Sequence, residues 1–465
     1  MATGVPKTQR DRQIPPHDAL STPLDLSLTY EGKRPATEIL LTRPATIQTL
    51  WEKPGAPGTA TLANQLFYGD NLPILAALLQ NPTWAGKVRL IYIDPPFATN
   101  SIFQSRTQGD AYNDLLVGAH YVEFLRERLL FLRELLSDDG SIYLHLDANM
   151  AFPMKIILDE IFGRGNFRSW ITRKKCNPKN FTRKAYGNIS DYILFYTRSA
   201  RYIWNRPFTP WTEEKAAKEY PYLEAETGRR YKKVPLHAPG VRHGSTGERW
   251  QGKLPPPGKH WQYPPETLDT MELQGEISWS AYGNPRRKIY LGASAGIPIQ
   301  DIWLDFKDAH NQNINITGYP TEKNPELLAR IIETSSQPGD LVLDCFAGSG
   351  TTLAVASRLG RQWIGIDNSP AAIAAILRRF ARGLAPMGDF VRSQESPGRR
   401  NSQEAQTEQA ERAHNTTTVQ TMIDDFILSR SEDLSAELEQ TLAQWLIWQK
   451  EARPGEETKR QALPE

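Results

Sequence analysis

The segment Leu90-Ile91-Tyr92-Ile93-Asp94-Pro95-Pro96-Phe97 restricts the fold of this chain more than any other. Its apolar, β-branched start has the length of a buried strand, and it ends on an acid, two prolines and an aromatic ring. Neither proline has an amide hydrogen to extend a ladder, so the turn is stiff and its carbonyl oxygens are left for something other than the fold. A carboxylate, a carbonyl and a ring are therefore presented together at one end of a strand.

The surrounding pattern predicts an α/β sheet. A short apolar strand ends at Gly69-Asp70-Asn71-Leu72, helical spacing covers Leu72 to Leu79, and the strand at 88 to 93 follows. Phe124, Leu125, Leu129, Leu132 and Leu136 recur three and four apart, which predicts an amphipathic helix over 121–136. Asp138-Asp139-Gly140 breaks it before a strand at 141–146, and further strands are expected at 168–173 and 191–197. The alternation resumes with a helix over 325–335, strands at 340–344 and 362–367, and helices after each strand. The expected organisation is an N-terminal arm, partly disordered, over 1–62, a catalytic half over 63–199, an inserted module over 200–317 and a cofactor half over 318–386. A linker over 387–418 and a C-terminal helical segment over 419–465 complete it, with Leu434, Leu438, Leu442 and Trp445 on one helical stripe.

With 465 residues the chain can bury a full core. No secretory signal or membrane-spanning run is evident, so a cytoplasmic protein without membrane attachment is expected. Only Cys176 and Cys345 are present, without metal-ligand spacing, so neither a disulfide frame nor a metal site is expected. The formal net charge of +2 conceals an uneven distribution: residues 164–260 hold 21 Lys and Arg against 7 Asp and Glu. Interleaved with Trp and Tyr, that surplus is the footprint of a nucleic-acid binder. Arg173, Lys174, Lys175, Arg183 and Lys184 are its candidate phosphate contacts. Trp204, Trp211, Trp250, Trp261 and Trp279 read first as core, and His145 and His310 as structural.

A second motif lies far downstream. Asp344-Cys345-Phe346-Ala347-Gly348-Ser349-Gly350-Thr351-Thr352 joins a buried strand to a helix through two glycines, a geometry suited to a small anionic or carboxylate ligand. It lacks the full dinucleotide spacing and has no Walker lysine. Asp367 ends the next strand about 20 residues on, where an acid grips ribose hydroxyls in nucleotide-binding folds. Alone, the turn also reads as a tight strand-to-helix connection.

Together, the Asp-Pro-Pro-Phe at 94–97 and the Phe-Ala-Gly-Ser-Gly at 346–350 resemble the paired motifs of the amino-methylating DNA methyltransferases. The catalytic motif precedes the cofactor motif with a basic module between, which is similar to the β-class order of restriction-modification methylases. Gly69 to Leu72, Asp191 to Tyr196 and the Thr321-Glu322-Lys323 lead-in extend the resemblance over roughly 63–382. It implies a Rossmann-like, circularly permuted methyltransferase fold with an inserted target-recognition module, S-adenosyl-L-methionine as cofactor and double-stranded DNA as substrate. Asp94, Pro95, Pro96 and Phe97 would be catalytic. Phe346, Ala347, Gly348, Ser349, Gly350 and Thr351 would shape the cofactor pocket; Asp344 would face the methionine end, Asp367 with Asn368 the ribose, Asp70 the adenine edge, and Thr321 or Lys323 the methionine carboxylate. Asn324 separates Lys323 from Pro325, a departure from the family's usual Lys-Pro.

The chemistry agrees with the resemblance. An exocyclic amine is a weak nucleophile because its lone pair is delocalised into the ring; two acceptors on its hydrogens let that pair localise. No cysteine follows a proline, which argues against carbon-5 methylation of cytosine. The Asp-Pro-Pro form is more typical of adenine N6 enzymes of the family. Cytosine N4 methylation is the alternative, as is a modification or specificity subunit of a restriction-modification complex; a homodimer and a restriction subunit are the further partners the resemblance allows.

Overall fold

Strand Val88–Ile93 is buried along nearly its whole length because it has a neighbour on each side and helices on both faces. The computed structural model describes residues 26–52, 64–96, 118–177, 184, 186–293, 296–306, 322–383, 423 and 425–452, with short strand pieces at 103–104, 110–112, 315–316 and 385–386. They fall into two units, Met1–Asn205 with Asp301–Glu465, and Arg206–Gln300.

The larger unit is built on one sheet of ten strands: β1 Gln48–Glu52, β2 Asn64–Tyr68, β3 Val88–Ile93, β4 Leu136–Leu146, β5 Phe167–Lys174, β6 Ser190–Thr197, β7 Ile302–Trp303, β8 Leu341–Asp344, β9 Gln362–Asp367 and β10 Phe426–Arg430. Their spatial order is β1-β10-β2-β9-β8-β3-β4-β6-β5-β7. From β10 through β4 every neighbouring pair is parallel. The flanking β6 runs antiparallel to both β4 and β5. Parallel pairing needs crossovers, supplied by helices α1 Asn71–Gln80, α2 Ala119–Leu135, α3 Ala148–Phe162, α4 Pro325–Ser335, α5 Thr351–Arg358 and α6 Pro370–Arg382. This is the Rossmann-like α/β fold the motifs imply. All six parallel strands end on the same edge, so the residues after β2, β3, β8 and β9 come together there.

The termini differ from expectation. β1 lies within the stretch expected as an arm, and β10 lies beyond the expected linker, yet they pair with one another and β10 pairs with β2. Gln-Thr-Leu-Trp-Glu is half polar because an edge strand has little to bury, so it gives no strong strand signal. Helix α7 Ala436–Ala452 then packs on α6, and of the predicted stripe Leu438 and Trp445 are fully buried while Leu434 precedes the helix. Trp445 meets Trp51 and Phe426 at ring-centroid distances of 5.5 and 5.6 Å. The stretches 48–52 and 436–452 are thereby tied to the sheet.

The unit Arg206–Gln300 lies within the expected 200–317 insertion, and β7 returns the chain to the large sheet immediately after it. It holds a four-stranded antiparallel sheet, ordered Tyr222–Leu223, Arg230–Pro235, Pro285–Tyr290, Ile277–Trp279, and a small core of Leu236, Trp250, Trp261, Leu268, Met271 and Ile277. Trp250 and Trp261 are core, as read from the sequence; Trp204 and Trp279 are partly exposed and stack on Phe195 and Trp250 respectively. Among the described residues no helix is long and apolar enough to cross a membrane.

Trp445→Ala should lower stability by roughly 3–5 kcal/mol, the range for truncating a buried aromatic, and Leu446→Ala, on the exposed side of the same helix, by about 1 kcal/mol or less. Thermal melts followed by circular dichroism will show whether the C-terminal helix belongs to the cooperative unit.

Candidate active site

Asp94 stands at the carboxyl end of β3, where Pro95 and Pro96 stop pairing. Its carboxylate is largely buried, and Oδ2 lies 2.5 Å from the Lys323 ammonium. Oδ1 is buried and has no hydrogen-bond partner among the described residues; Nδ1 of His145 lies 3.7 Å from it, beyond hydrogen-bond reach. A buried carboxylate oxygen without a donor costs free energy, so this one is open to a hydrogen-bond donor. Phe97 and Thr321 lie outside the described residues, as do Arg183 and His310.

Behind Asp94 is a buried polar wall. His145, on β4, is fully buried, with Nδ1 2.9 Å from the Tyr92 hydroxyl and Nε2 3.5 Å from Asp191 Oδ2. Asp191, on β6, also receives Lys175 at 2.9 Å and Arg173 at 3.3 Å. Burial raises the Asp191 pKa, but the hydrogen bond from His145 and the Lys175 charge outweigh it and hold the group below the usual carboxylate range. Burial pushes the Tyr92 hydroxyl well up, helped by Asp94, and pushes His145 below its ordinary 6.5. Here the charge count misleads: Arg173, expected to contact phosphates, is fully buried and bound to Asp191 and the Phe306 carbonyl, at 2.8 Å. Lys174 is half-buried and Lys184 exposed.

The Gly-rich turn leaves β8 one strand away. Asp344 Oδ1 accepts from the Phe346 amide at 3.0 Å and Oδ2 from the Thr352 hydroxyl at 2.6 Å. Asp367, at the end of β9, accepts from the Gly348 amide at 2.8 Å and the Ser369 amide at 2.9 Å. Both acids thus shape the turn as well as facing the edge. Burial pushes Asp344 up to about 7 and Asp367 up to about 6. Two desolvated carboxylates side by side fit a ligand that carries positive charge. Asn368 is exposed, and Ala347, Ser349 and Thr351 are buried. At Gly350 φ is +71° and an added Cβ would lie 2.8 Å from Ile376, so the helix starts only where the backbone is bare.

Three features that the sequence left unassigned hold these pieces together. Asn71 donates to the Cys345 carbonyl at 2.7 Å and accepts from Arg128, so α1 braces the turn. Arg128 also meets Asp70 at 2.9 Å and lies over the Phe124 ring at 3.5 Å. Asp70 caps α1 through the Leu72 amide, at 3.1 Å, with about half of its side chain exposed to the edge. Next to it, Gly69 must be glycine: a Cβ there would fall 2.0 Å from Ser431, and Glu432 accepts from the Asp70 amide at 2.8 Å. Third, buried Glu322 pairs with Arg379 at 3.1 Å, and Arg379 donates to Thr351 at 2.8 Å. That pair ties the Lys323 segment to the turn. Asn324, the departure from Lys-Pro, caps α4 through the Glu326 amide at 2.9 Å, with Pro325 at the first helical position.

In the smaller unit, the register of Arg230–Pro235 with Pro285–Tyr290 sets Tyr231 opposite Tyr290 and Lys233 opposite Lys288 on one face. Lys233 lies over the Tyr222 ring at 4.2 Å and Arg229 over Tyr290 at 4.1 Å. Glu224 offsets part of that charge by pairing with Lys288 at 3.0 Å.

Known proteins are similar to this chain over most of its length. A family model described as DNA methylase, of the N6/N4 class, matches residues 88–378. The type II methyltransferase M.EcaI of Enterobacter cloacae is 48% identical over 366 residues, 79% of this chain and 80% of that protein. The StyLTI Mod subunit of a type III restriction-modification enzyme of Salmonella typhimurium is 28% identical over 329 residues, 62% of this chain and 49% of its own length. Among solved structures, the M1.HpyAVI–SAM complex aligns with 68% of this chain and 98% of its own at 17% identity, with a TM-score of 0.38.

The buried carboxylate of Asp344 yields a pH prediction. A carboxyl group whose folded-state pKa is raised from 3.8 to about 7 favours the folded state when protonated, so the fold loses stability as pH rises through that window. Asp344→Asn keeps the acceptor for Phe346 and removes the charge. It should stabilise the ligand-free protein at pH 8 by up to about 4 kcal/mol, seen as a higher melting temperature, with the gain fading toward pH 4. Melting curves at both pH values check this.

Proposed function

We propose, from the premise that this chain belongs to the N6/N4 DNA methylase family, that it methylates the N6 amine of a specific adenine in double-stranded DNA. The observation that carries this reading is Asp94 Oδ1, a buried anionic oxygen at the end of a parallel strand with no donor of its own among the described residues. An exocyclic amine supplies the missing donor. With one amino hydrogen on Asp94 and the other on the Pro95 carbonyl, the nitrogen lone pair localises and points out of the ring plane. Lys323 holds the second carboxylate oxygen, so the acceptor is fixed before the base arrives. Phe97 would stack on the base.

S-adenosylmethionine is the methyl donor and brings a methyl group on a cationic sulfur. The residues to hold it are those gathered at the sheet edge: Phe346 to Thr351 for its body, Asp344 for its methionine end, Asp367 and Asn368 for the ribose, and Asp70 for the adenine edge. Thr321 and Lys323 remain assigned to its carboxylate, and Lys323 would share its ammonium between that group and Asp94. An adenine inside a duplex cannot reach a strand end, so the target base leaves the stack. Adenine is favoured over cytosine because the motif opens on Asp rather than Ser.

DNA binding falls to the basic, tyrosine-bearing face of Arg230–Pro235 and Pro285–Tyr290 in the smaller unit; Lys174 and Lys184 of the larger unit are further candidate phosphate contacts, while Lys175 is taken up by Asp191. Lysines over aromatic rings keep their charge toward solvent while their stems are held, which suits phosphate binding. The StyLTI Mod subunit belongs to a type III restriction-modification enzyme, and the same setting is proposed here, with a restriction subunit and a second copy as candidate partners.

DNA from a methylation-free host expressing the protein should carry N6-methyladenine at one short motif, detected by modification-sensitive sequencing and confirmed by nucleoside mass spectrometry. N4-methylcytosine in its place would move the assignment to the other branch of the family, and unmodified DNA would refute it. In binding assays Lys233→Glu with Arg286→Glu should weaken affinity for DNA of any sequence and reduce the slope against salt by about one for each phosphate no longer neutralised. An unchanged slope would remove that face from the interface.

A further inference from the structure

Methyl transfer to an amine has a proton to dispose of. When the amine gains a methyl group, a nitrogen–carbon bond forms, the carbon–sulfur bond breaks with its pair remaining on sulfur, and one nitrogen–hydrogen bond breaks with its pair remaining on nitrogen. One proton is left over. Asp94 Oδ1, bonded to that hydrogen when the base is in place, is the first acceptor within reach, and it must pass the proton on before it can accept from the next amine.

The wall behind Asp94 is arranged to take it further. Tyr92 carries a neutral hydroxyl 2.9 Å from His145 Nδ1, which is 3.7 Å from Asp94 Oδ1. On the other side of the ring Nε2 faces Asp191 at 3.5 Å. An ionised Asp191 can only accept, so the ring hydrogen belongs on Nε2 and Nδ1 keeps its lone pair, to which Tyr92 donates. That tautomer leaves a base on the side of the catalytic acid. The charged and titratable groups around the ring are Asp94 and Tyr92 from the β3 segment and Asp191 from β6. Arg173 and Lys175 face Asp191, and Lys323 faces the far oxygen of Asp94. An imidazolium formed here would sit between two carboxylates, with Arg173 and Lys175 already paired to Asp191.

We propose that His145 receives, through Asp94, the proton released from the target amine, and that Asp191 acts as the positioning residue that fixes its tautomer. The proposal rests on the reading of Asp94 as the amine's acceptor. The proton moves from nitrogen to Asp94 Oδ1 and then, as the carboxyl group and the ring close from 3.7 Å to hydrogen-bond distance, to His145 Nδ1, while the Tyr92 hydroxyl rotates from donating to accepting. Asp94 returns to its ionised form; once the product base has left, the imidazolium gives the proton back through Asp94, the partly exposed member of the pair, to solvent, and the site is ready for the next base. A histidine that merely filled the core would have no reason to face two acids and a tyrosine in this order.

Steady-state kinetics on wild type, His145→Gln and Tyr92→Phe across pH 5 to 9 test this, with S-adenosylmethionine and DNA affinities measured separately by equilibrium binding. His145→Gln should lose about 10²-fold in kcat, keep both affinities within about twofold and lose the acid limb of the wild-type kcat profile. Tyr92→Phe removes a donor that favours the neutral ring, so its acid limb should move up by about half to one pH unit. If His145→Gln does not fold, the shift in Tyr92→Phe decides. An active wild type whose kcat and acid limb are matched by both folded variants would overturn the role of His145 alone. A wild type that binds donor and DNA but transfers no methyl group would overturn the reading of Asp94 and this proposal with it.

Discussion

The ion pair between Asp94 and Lys323 joins the strand that ends in Asp-Pro-Pro to the segment leading into the Gly-rich turn, at the one sheet edge where both can meet. Parallel pairing brings them there. Because β3 lies beside β8, a residue after one strand is automatically close to a residue after the other, whatever the distance along the chain. Lys323 is itself fixed by its neighbours: Glu322 is held by Arg379, and Asn324 starts α4. Asp94 is thereby held by a segment anchored to α6 through Glu322 and to α4 through Asn324. In such an arrangement neither half of the site is complete before the other has folded.

The edge is also where the fold gives up stability. Asp344 is buried and Asp367 half-buried, both with raised pKa values, Asp94 carries an oxygen without a donor among the described residues, and a histidine is buried among acids. Each of these opposes folding; backbone amides and a hydroxyl offset part of the cost at Asp344 and Asp367, and the Lys323 cation part of it at Asp94. Such unmatched groups cluster where a ligand will complete them. The core beneath the edge supplies the surplus: β3, β8 and β9 are apolar along nearly their whole length, and the terminal strands and α7 cover the side of the sheet next to β2.

Much of this was readable from residue order. The two motifs, the strand-helix alternation and the inserted basic module define the larger sheet, and the helix starting at Pro325 is predicted to its last residue because Asn324, Pro325 and the apolar spacing agree. Other parts left no signal. β1 and β10 are short edge-side strands of mixed polarity, which no periodicity reveals. His145 read as structural, and its place between Tyr92 and Asp191 left no signal because a lone histidine has no spacing to read. Arg173 shows the opposite error, since a run of positive charge does not tell which member faces inward to meet Asp191. Asn71, hidden beside the more conspicuous Asp70, became visible only once α1 lay against the Cys345 carbonyl.

The central claim is that Asp94 accepts a hydrogen bond from the target amine during transfer, and it is tested most directly by single-turnover transfer of a labelled methyl group to DNA by wild type and Asp94→Ala. Both proteins should bind donor and DNA with comparable affinity, while the transfer rate of the variant falls by at least about 10²-fold. A variant that transfers the methyl group at the wild-type rate would contradict the account.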